Sequence, residues 1–124
     1  MSTQKATILV ADDSSVVRRM AEEILTGAGY QVILVDDGMK AVSTAFQEKP
    51  DLVILDIEMP KMDGYSVCQT LRKTFQHMPI IMLTSKDGFF DRTKGKLSGA
   101  NEYIVKPFES QNILSAVERN LPKS

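Results

Sequence analysis

Five short apolar segments alternate along the chain with longer segments that carry helical periodicity. We predict strands over Thr7–Ala11, Gln31–Val35, Leu52–Leu55, Ile80–Leu83 and Glu102–Val105. Such alternation is typical of βα units, which build a parallel sheet through right-handed crossovers. The first, third and fourth segments are continuously apolar, as in strands whose two faces are both covered by helices. The chain is therefore predicted to form an α/β, doubly wound, three-layer sandwich of five parallel strands and five helices.

The segment after the first strand shows the clearest helical pattern. Its apolar residues recur at the spacing of one helix face, and they are Val17, Met20, Ala21, Ile24, Leu25 and Ala28. Ser14 or Asp13 is expected to cap the start of this helix, and Ser110 the start of the fifth helix. The fourth predicted helix, around Phe90 to Leu97, shows little apolar periodicity and contains Gly95. Its pattern is the weakest of the five.

The composition fits one ordinary globular domain. The chain has 124 residues, of which 43% are hydrophobic and 25% charged, and its net charge is −1. A nearly balanced charge argues against direct nucleic-acid binding. The single cysteine, Cys68, excludes an internal disulfide, and no segment approaches the roughly 18 apolar residues of a membrane-spanning helix. We expect a cytoplasmic, single-domain protein without membrane contact. Its core should cover about residues 6–121, with no output domain, because Pro122-Lys123-Ser124 follows the last helix directly.

Four of the five predicted strands end in a chemically useful polar residue. The first runs into Asp12-Asp13, the third into Asp56, the fourth into Thr84 and the fifth into Lys106. Because the carboxyl ends of parallel strands lie along one edge of a sheet, these groups are expected to meet there. Three carboxylates so close repel one another unless a cation joins them. Oxygen ligands without nearby histidine or cysteine favour Mg²⁺ over zinc.

A cation, a hydroxyl and a lysine beside a carboxylate are suited to phosphoryl transfer. Asp56 is the expected nucleophile, because it alone ends a central apolar segment and is followed by a tight loop that contains Pro60 and Gly64. Lys106 would neutralise the phosphoryl group, and Thr84 would donate a hydrogen bond to it. Taken singly, each of these residues could equally be a helix cap or a loop residue. The four strand ends together favour a site.

These residues also form a known signature. The acidic pair Asp12-Asp13, Leu55-Asp56 with Met59-Pro60 and Met62-Asp63-Gly64, Thr84-Ser85, and Tyr103 before Lys106-Pro107-Phe108 resemble the response-regulator receiver domain of two-component signalling. The resemblance extends from Ile8 to Leu121. It implies a flavodoxin-like fold with strand order 2-1-3-4-5. In that order the second strand, which ends in Asp36-Asp37, lies at the edge of the sheet, so we interpret these two acids as loop and cap residues.

The resemblance also implies roles for the site residues. Asp56 would accept a phosphoryl group from a phosphohistidine on a histidine kinase. Mg²⁺, for which Mn²⁺ can substitute, would be bound by the carboxylates of Asp13 and Asp56, by Asp12 mainly through water, and by the backbone carbonyl of Glu58. Lys106 would contact the phosphoryl oxygens and precede a cis bond to Pro107. Thr84 would then move toward the phosphoryl group while Tyr103 turns inward.

The expected output surface comprises the fourth helix, the fifth strand and the fifth helix. On it we place Phe90, Arg92, Lys94, Lys96 and Tyr103. The three basic residues are either a solvated helix face or part of a patch for an acidic partner or a kinase domain, and the expected output is binding to a downstream effector protein. Ser85 to Asp91 and Gly95 resemble chemotaxis-like, single-domain regulators of type IV pilus motility. Such a protein is expected to be a monomer or a weak phosphorylation-dependent dimer, and a regulator rather than an enzyme, catalysing only its own phosphorylation and dephosphorylation.

Two other functions share part of this pattern. A Mg²⁺-dependent phosphohydrolase also begins with a carboxylate after an apolar strand, but it usually has a second aspartate two residues later, where this chain has Glu58. A flavin or nucleotide module can use the same fold. It needs a glycine-rich phosphate loop, whereas Asp12-Asp13-Ser14-Ser15 would repel a phosphate in the absence of metal.

Overall fold

The computed structural model describes residues 6–85, 93–94 and 97–122, which form five strands and four bounded helices. In chain order these are β1 (Thr7–Ala11), α1 (Ser15–Gly27), β2 (Gln31–Val35), α2 (Gly38–Glu48), β3 (Leu52–Asp56), α3 (Gly64–Thr74), β4 (Ile80–Thr84), β5 (Glu102–Val105) and α4 (Ser110–Asn120). All five predicted strands are present. Strands β3 and β4 are one residue longer than predicted, so Asp56 and Thr84 are their last residues rather than the first loop residues.

The five strands form one parallel sheet in the order β2-β1-β3-β4-β5. Strand β1 pairs with both β2 and β3, and its Ala11 lies beside Val35 on one side and Leu55 on the other. Asp56 of β3 lies beside Leu83, and Thr84 of β4 beside Val105. This order is the one that the receiver-domain resemblance implies. It puts the ends of β1, β3, β4 and β5 next to one another and the end of β2 at the outside.

Alternate strand residues supply two separate cores, one on each face of the sheet. On one face Leu9, Val53 and Met82 pack against α2 and α3. On the other face Ile8, Ile54 and Leu83 pack against α1 and α4. Strands β3 and β4 are buried along their whole length, because helices cover both of their faces. The three-layer sandwich is thus confirmed, and the carboxyl edge is the part of the sheet left open for a site.

The helices differ from prediction in three respects. The fourth predicted helix falls mostly outside the described residues, although Lys94 and Leu97 have helical backbone. Met20, predicted to face the core, is exposed. The buried residues of α1 are Ala21 and Leu25, so the buried face of this helix is narrower than the apolar stripe in the sequence. The last helix begins at Ser110 rather than being capped by it.

Three of the four bounded helices begin with a side-chain cap. Ser14 accepts a hydrogen bond from the Val17 amide, as one of the two predicted alternatives requires. Asp37 and Asp63 cap α2 and α3 in the same way. At α4 the cap residue is Glu109, whose amide donates to the Asn112 side chain at 2.8 Å. Such caps satisfy backbone amides that have no partner within the helix, and so fix where each helix starts above the sheet.

At the opposite edge of the sheet an arginine ties several segments together. The Arg72 guanidinium on α3 donates to the main-chain oxygens of Met78 and Gly99, both at 2.7 Å. It thereby joins α3 to the segments that lead into β4 and β5. Across the described ranges, no helix is long and apolar enough to cross a membrane.

Candidate functional site

Three carboxylates from two neighbouring strands converge at the carboxyl edge of the sheet. One oxygen from each of Asp12, Asp13 and Asp56 lies within 4.8 Å of the others. Asp12 is fully buried and Asp56 is 5% exposed, whereas Asp13 is exposed. Of the three carboxylates, Asp13 is therefore the one that is exposed to solvent.

Lys106 brings a positive charge to this cluster from β5. Its Nζ lies 2.8 Å from Oδ2 of Asp12 and 3.4 Å from Oδ1 of Asp56. Burial alone would lower the pKa of the Lys106 ammonium, but its contacts with Asp12 and Asp56 outweigh burial and raise that pKa above its ordinary value. The backbone amide of Lys106 donates to the Thr84 carbonyl at 2.6 Å, and the bond from Lys106 to Pro107 is cis, the isomer that the resemblance implies.

The surroundings of the Asp56 carboxylate disfavour its ionised form. Burial and the neighbouring charge of Asp12 raise the pKa of its carboxyl to about 6, although Lys106 acts in the opposite direction. A raised pKa means that the ionised form is destabilised by its surroundings. A bound cation or a covalently attached group at Asp56 would relieve that destabilisation. A raised pKa is therefore consistent with a carboxylate that binds a cation or is covalently modified.

The loop after β3 passes close to Asp56 because two glycines allow it. A Cβ atom on Gly64 would lie 2.3 Å from the main-chain oxygen of Asp56, and one on Gly38 would lie 1.9 Å from that of Met62. The Gly64 amide also donates to the Ile57 carbonyl at 2.8 Å, which folds the loop back over the strand end. The loop that contains Glu58 is thus held between the start of α3 and the start of α2.

The two residues expected to switch lie on adjacent strands. Thr84 is 1% exposed at the end of β4, and its carbonyl accepts a hydrogen bond from the Lys106 amide. Tyr103 is half-buried opposite Met82 and packs against the core on the α2–α3 face. Their positions bring Thr84 to the site and put Tyr103 one strand further out.

Only part of the predicted output surface can be located. Phe90, Arg92 and Lys96 lie outside the described residues. Lys94 is exposed, and its Nζ lies 4.8 Å from the centre of the Tyr65 ring. Lys94 also borders a cleft of about 480 Å³ whose walls include Asp13, Glu58 and Asp63. Lys94 therefore borders the same cleft as Asp13, as well as belonging to the predicted output surface.

The donor atoms fit a hard divalent cation. Oδ2 of Asp12 is buried and accepts no hydrogen bond from the described residues, its contact being the ion pair with Lys106. Its Oδ1, by contrast, accepts from the Ser14 amide at 2.9 Å. Carboxylate oxygens from Asp12, Asp13 and Asp56 are the ligand type that Mg²⁺ prefers. Asp13, Asp56 and the Glu58 backbone carbonyl are the groups that would hold the cation directly, and Asp12 would hold it mainly through water.

Sequence reasoning found the charged residues of the site but missed two residues that contact the backbone around them. Arg18 on α1 donates from Nη1 to the Asp12 carbonyl at 2.7 Å. Gly38 supports the loop after β3 from the far side. Neither residue belongs to a pattern of apolar spacing or strand ends, and both act through the backbone, so nothing in the sequence pattern pointed to them.

Comparison with known proteins identifies the family. A sequence profile described as the response regulator receiver domain matches residues 8–118. The chain belongs to the response regulator receiver domain family. The predicted resemblance is thereby confirmed. Receiver domains are signalling domains of two-component systems, so this chain is a signalling domain rather than a flavin module.

Relatives of two lengths are similar to this receiver domain. Protein PilG of Pseudomonas aeruginosa is 38% identical over 117 residues, covering 93% of this chain and 87% of PilG. The probable transcriptional regulator ycf27 of Pyropia yezoensis is 44% identical over 124 residues, which is all of this chain but 51% of ycf27. The receiver domain thus spans about half the length of the longer relatives.

Solved receiver structures share the fold throughout. The chemotaxis response regulator CheY4 of Vibrio cholerae superposes with a TM-score of 0.90 at 34% identity, covering 94% of this chain and 99% of CheY4. The receiver domain of the sensor histidine kinase PA1611 from Pseudomonas aeruginosa gives a TM-score of 0.87 at 32% identity, covering 94% of this chain and 97% of that one. The PA1611 structure has a magnesium ion coordinated in its active-site cleft.

Proposed function

We propose that this receiver domain accepts a phosphoryl group on Asp56 from a phosphohistidine of a histidine kinase, in the presence of Mg²⁺. The observation that carries the proposal is the convergence of Asp12, Asp13, Asp56 and Lys106 at one edge of the sheet. The magnesium-bound PA1611 receiver domain, with the same fold, supports the choice of cation. Mn²⁺ is expected to substitute, because it has the same charge and also binds carboxylate oxygens.

In the proposed transfer an oxygen of the Asp56 carboxylate attacks the phosphorus of the phosphohistidine. A P–O bond forms as the P–N bond breaks, and the imidazole leaves with the electron pair and takes up a proton. The Lys106 ammonium, held 3.4 Å from Asp56, neutralises charge on the transferring group. Asp13, Asp56 and the Glu58 carbonyl would hold the cation directly and Asp12 mainly through water, and the cation would supply further charge neutralisation. Slow hydrolysis of the acyl phosphate at the same site returns Asp56 to its carboxylate.

The consequence of phosphorylation is proposed to be a population shift in the surface next to β5. Thr84 lies beside the site, and Tyr103 lies on the neighbouring strand. A change in the position of Thr84 on phosphorylation could therefore alter the packing of Tyr103 and so the partner-binding surface. Lys94 and Tyr103 would belong to the surface that binds a downstream effector protein. On this proposal the domain regulates by binding and acts as an enzyme on no other substrate.

The finer proposal is a role in pilus-based motility. It is supported by the segment from Ser85 to Asp91 and by the 38% identity to Protein PilG. The domain would then act in the cytoplasm as a monomer or a weak phosphorylation-dependent dimer, without contact to nucleic acid or membrane. Loss of twitching in a strain that carries Asp56→Asn, restored by the unmodified gene, is the expected phenotype. Normal twitching in that strain would contradict the pilus assignment.

Intact-mass spectrometry tests phosphorylation directly. The protein is incubated with Mg²⁺ and a small acyl phosphate, and one added phosphoryl group is expected, sensitive to hydroxylamine as an acyl phosphate must be. Asp56→Asn should abolish the addition, while Asp51→Asn, an exposed acid at the other edge of the sheet, should leave it unchanged. Equal labelling of the Asp56→Asn variant would contradict the assignment of the acceptor.

A further inference from the structure

Arg18 contacts the site through the backbone rather than through a carboxylate. It lies in α1, is half-buried, and donates from Nη1 to the main-chain oxygen of Asp12 at 2.7 Å. That oxygen belongs to the peptide group that joins Asp12 to Asp13. Because a peptide group is planar and rigid, holding its oxygen fixes the direction in which the chain enters Asp13.

The other contacts of Asp12 leave this orientation to Arg18. The Asp12 amide donates to the Val35 carbonyl at 3.2 Å, which continues the pairing of β1 with β2. The two carboxylate oxygens contact the Ser14 amide and the Lys106 ammonium. These contacts fix the strand end and the Asp12 side chain. The carbonyl that leads to the exposed Asp13 is held by the guanidinium.

The guanidinium is itself held over the end of β2. Arg18 borders a small cavity of about 230 Å³ together with Val35, Asp36 and Lys40. The carboxylate of Asp36 pairs with Nζ of Lys40 at 2.9 Å and is close enough for Arg18 to act on it electrostatically. The hydrogen bond to the Asp12 carbonyl gives Arg18 a defined place beside the site, and Asp36 borders the same small cavity.

We propose that Arg18 is a positioning residue for the cation site: it orients the Asp12–Asp13 peptide group so that the Asp13 carboxylate meets that of Asp56. The inference deepens the proposed function and rests on it, since the cation is taken to be Mg²⁺. Groups that orient metal ligands in this way typically contribute about 10-fold to 100-fold in metal affinity. Arg18 touches neither the cation nor the phosphoryl group.

The experiment compares three variants by their affinity for Mg²⁺, measured as a Mg²⁺-dependent shift in unfolding and by direct titration. Arg18→Met keeps an unbranched apolar stem and removes the guanidinium donors, and we expect it to weaken Mg²⁺ binding about 10-fold. Arg18→Lys keeps the charge and a donor group, and its Mg²⁺ affinity should lie between those of Arg18→Met and the unmodified chain. Arg19→Met removes the exposed neighbouring arginine and should bind Mg²⁺ like the unmodified chain.

A second measurement separates positioning from catalysis. The rate of labelling by an acyl phosphate should fall in Arg18→Met at limiting Mg²⁺ and return close to that of the unmodified protein at saturating Mg²⁺. Unchanged Mg²⁺ affinity in Arg18→Met, whatever its effect on metal-free stability, would overturn the inference and leave the proposed function standing. If Arg18→Met does not fold, unchanged affinity in Arg18→Lys overturns it equally. Absence of any Mg²⁺ response in the unmodified chain overturns both.

Discussion

Replacing Asp56 by asparagine should stabilise the metal-free protein, and by an amount that depends on pH. The Asp56 carboxyl is buried beside Asp12, and its pKa is raised from 3.8 to about 6. Between these two values the native state binds a proton that the unfolded state releases. Stability contributed by Asp56 is therefore present at low pH and is lost as the pH rises through the folded-state pKa. Asparagine cannot ionise and avoids the loss.

The size of the effect follows from the two pKa values. A difference from 3.8 to about 6, at about 1.36 kcal/mol per pH unit, amounts to about 3 kcal/mol once Asp56 is fully ionised. At pH 4.5 the same two values give about 1 kcal/mol, because Asp56 is then still protonated in the native state. The stabilisation by Asp56→Asn is thus expected to grow by about 2 kcal/mol between pH 4.5 and pH 8.

Urea unfolding in the presence of a chelator measures this growth. Urea is preferred to guanidinium chloride, since the salt would screen the charges that cause the effect. Glu48→Gln, which removes an exposed carboxyl at the end of α2, controls for the loss of one negative charge. Adding Mg²⁺ should narrow the gap between the Asp56→Asn variant and the unmodified protein, because the cation stabilises the native state that binds it.

Two results would refute this reasoning. One is a stabilisation of the same size at every pH, which would mean that packing or hydrogen bonding of the amide, and not ionisation, sets the difference. The other is a destabilisation at pH 8, which would mean that the ion pair with Lys106 outweighs burial and the repulsion from Asp12.

Three further variants test other parts of the structure. Asp13→Ala should abolish the rise in melting temperature caused by Mg²⁺, and an undiminished rise would exclude Asp13 as a ligand. Gly64→Ala places a Cβ 2.3 Å from the Asp56 carbonyl and should cost about 2 kcal/mol or more in urea unfolding, whereas an unchanged midpoint would show that the loop can move away. Arg72→Met leaves the Gly99 carbonyl without its 2.7 Å donor and should cost about 2 kcal/mol. Arg72→Lys should not restore that loss, because lysine cannot reach several carbonyls at once; full restoration would contradict the bridging role.

Periodicity predicted the fold well because the sheet is buried on both faces. Continuous apolar segments at β3 and β4 can be placed only between two helical layers, and alternate residues then divide between the two cores. Strand order, unlike strand position, could not be predicted from periodicity, because no spacing within the segments distinguishes one order from another. It came from the family resemblance. Met20 shows the limit of periodicity, since a residue at the margin of an apolar stripe can be exposed at no visible cost in the pattern.

The charged and polar residues of the site could be predicted from the sequence. Asp12 and Asp13 directly follow β1, Lys106 directly follows β5, and Asp56 and Thr84 are the polar last residues of β3 and β4. The parallel sheet alone brings these five residues to one edge. What holds them in place could not be predicted. A hydrogen bond to a carbonyl is available to any neighbouring long side chain, and close approach of two backbones is decided by loop geometry.

The second βα unit illustrates why such support is hidden in the sequence. Strand β2 contributes no group to the site, yet its end contacts both loops that do. Arg18, which donates to the Asp12 carbonyl, borders a small cavity together with Asp36. Asp37 caps α2 and lies 3.7 Å from the ammonium of Lys61 in the loop after β3. Gly38 then lets that loop approach closely. Asp36 and Asp37 are therefore loop and cap residues, as interpreted from the sequence. In these roles they also help to fix the backbone on either side of the carboxylates.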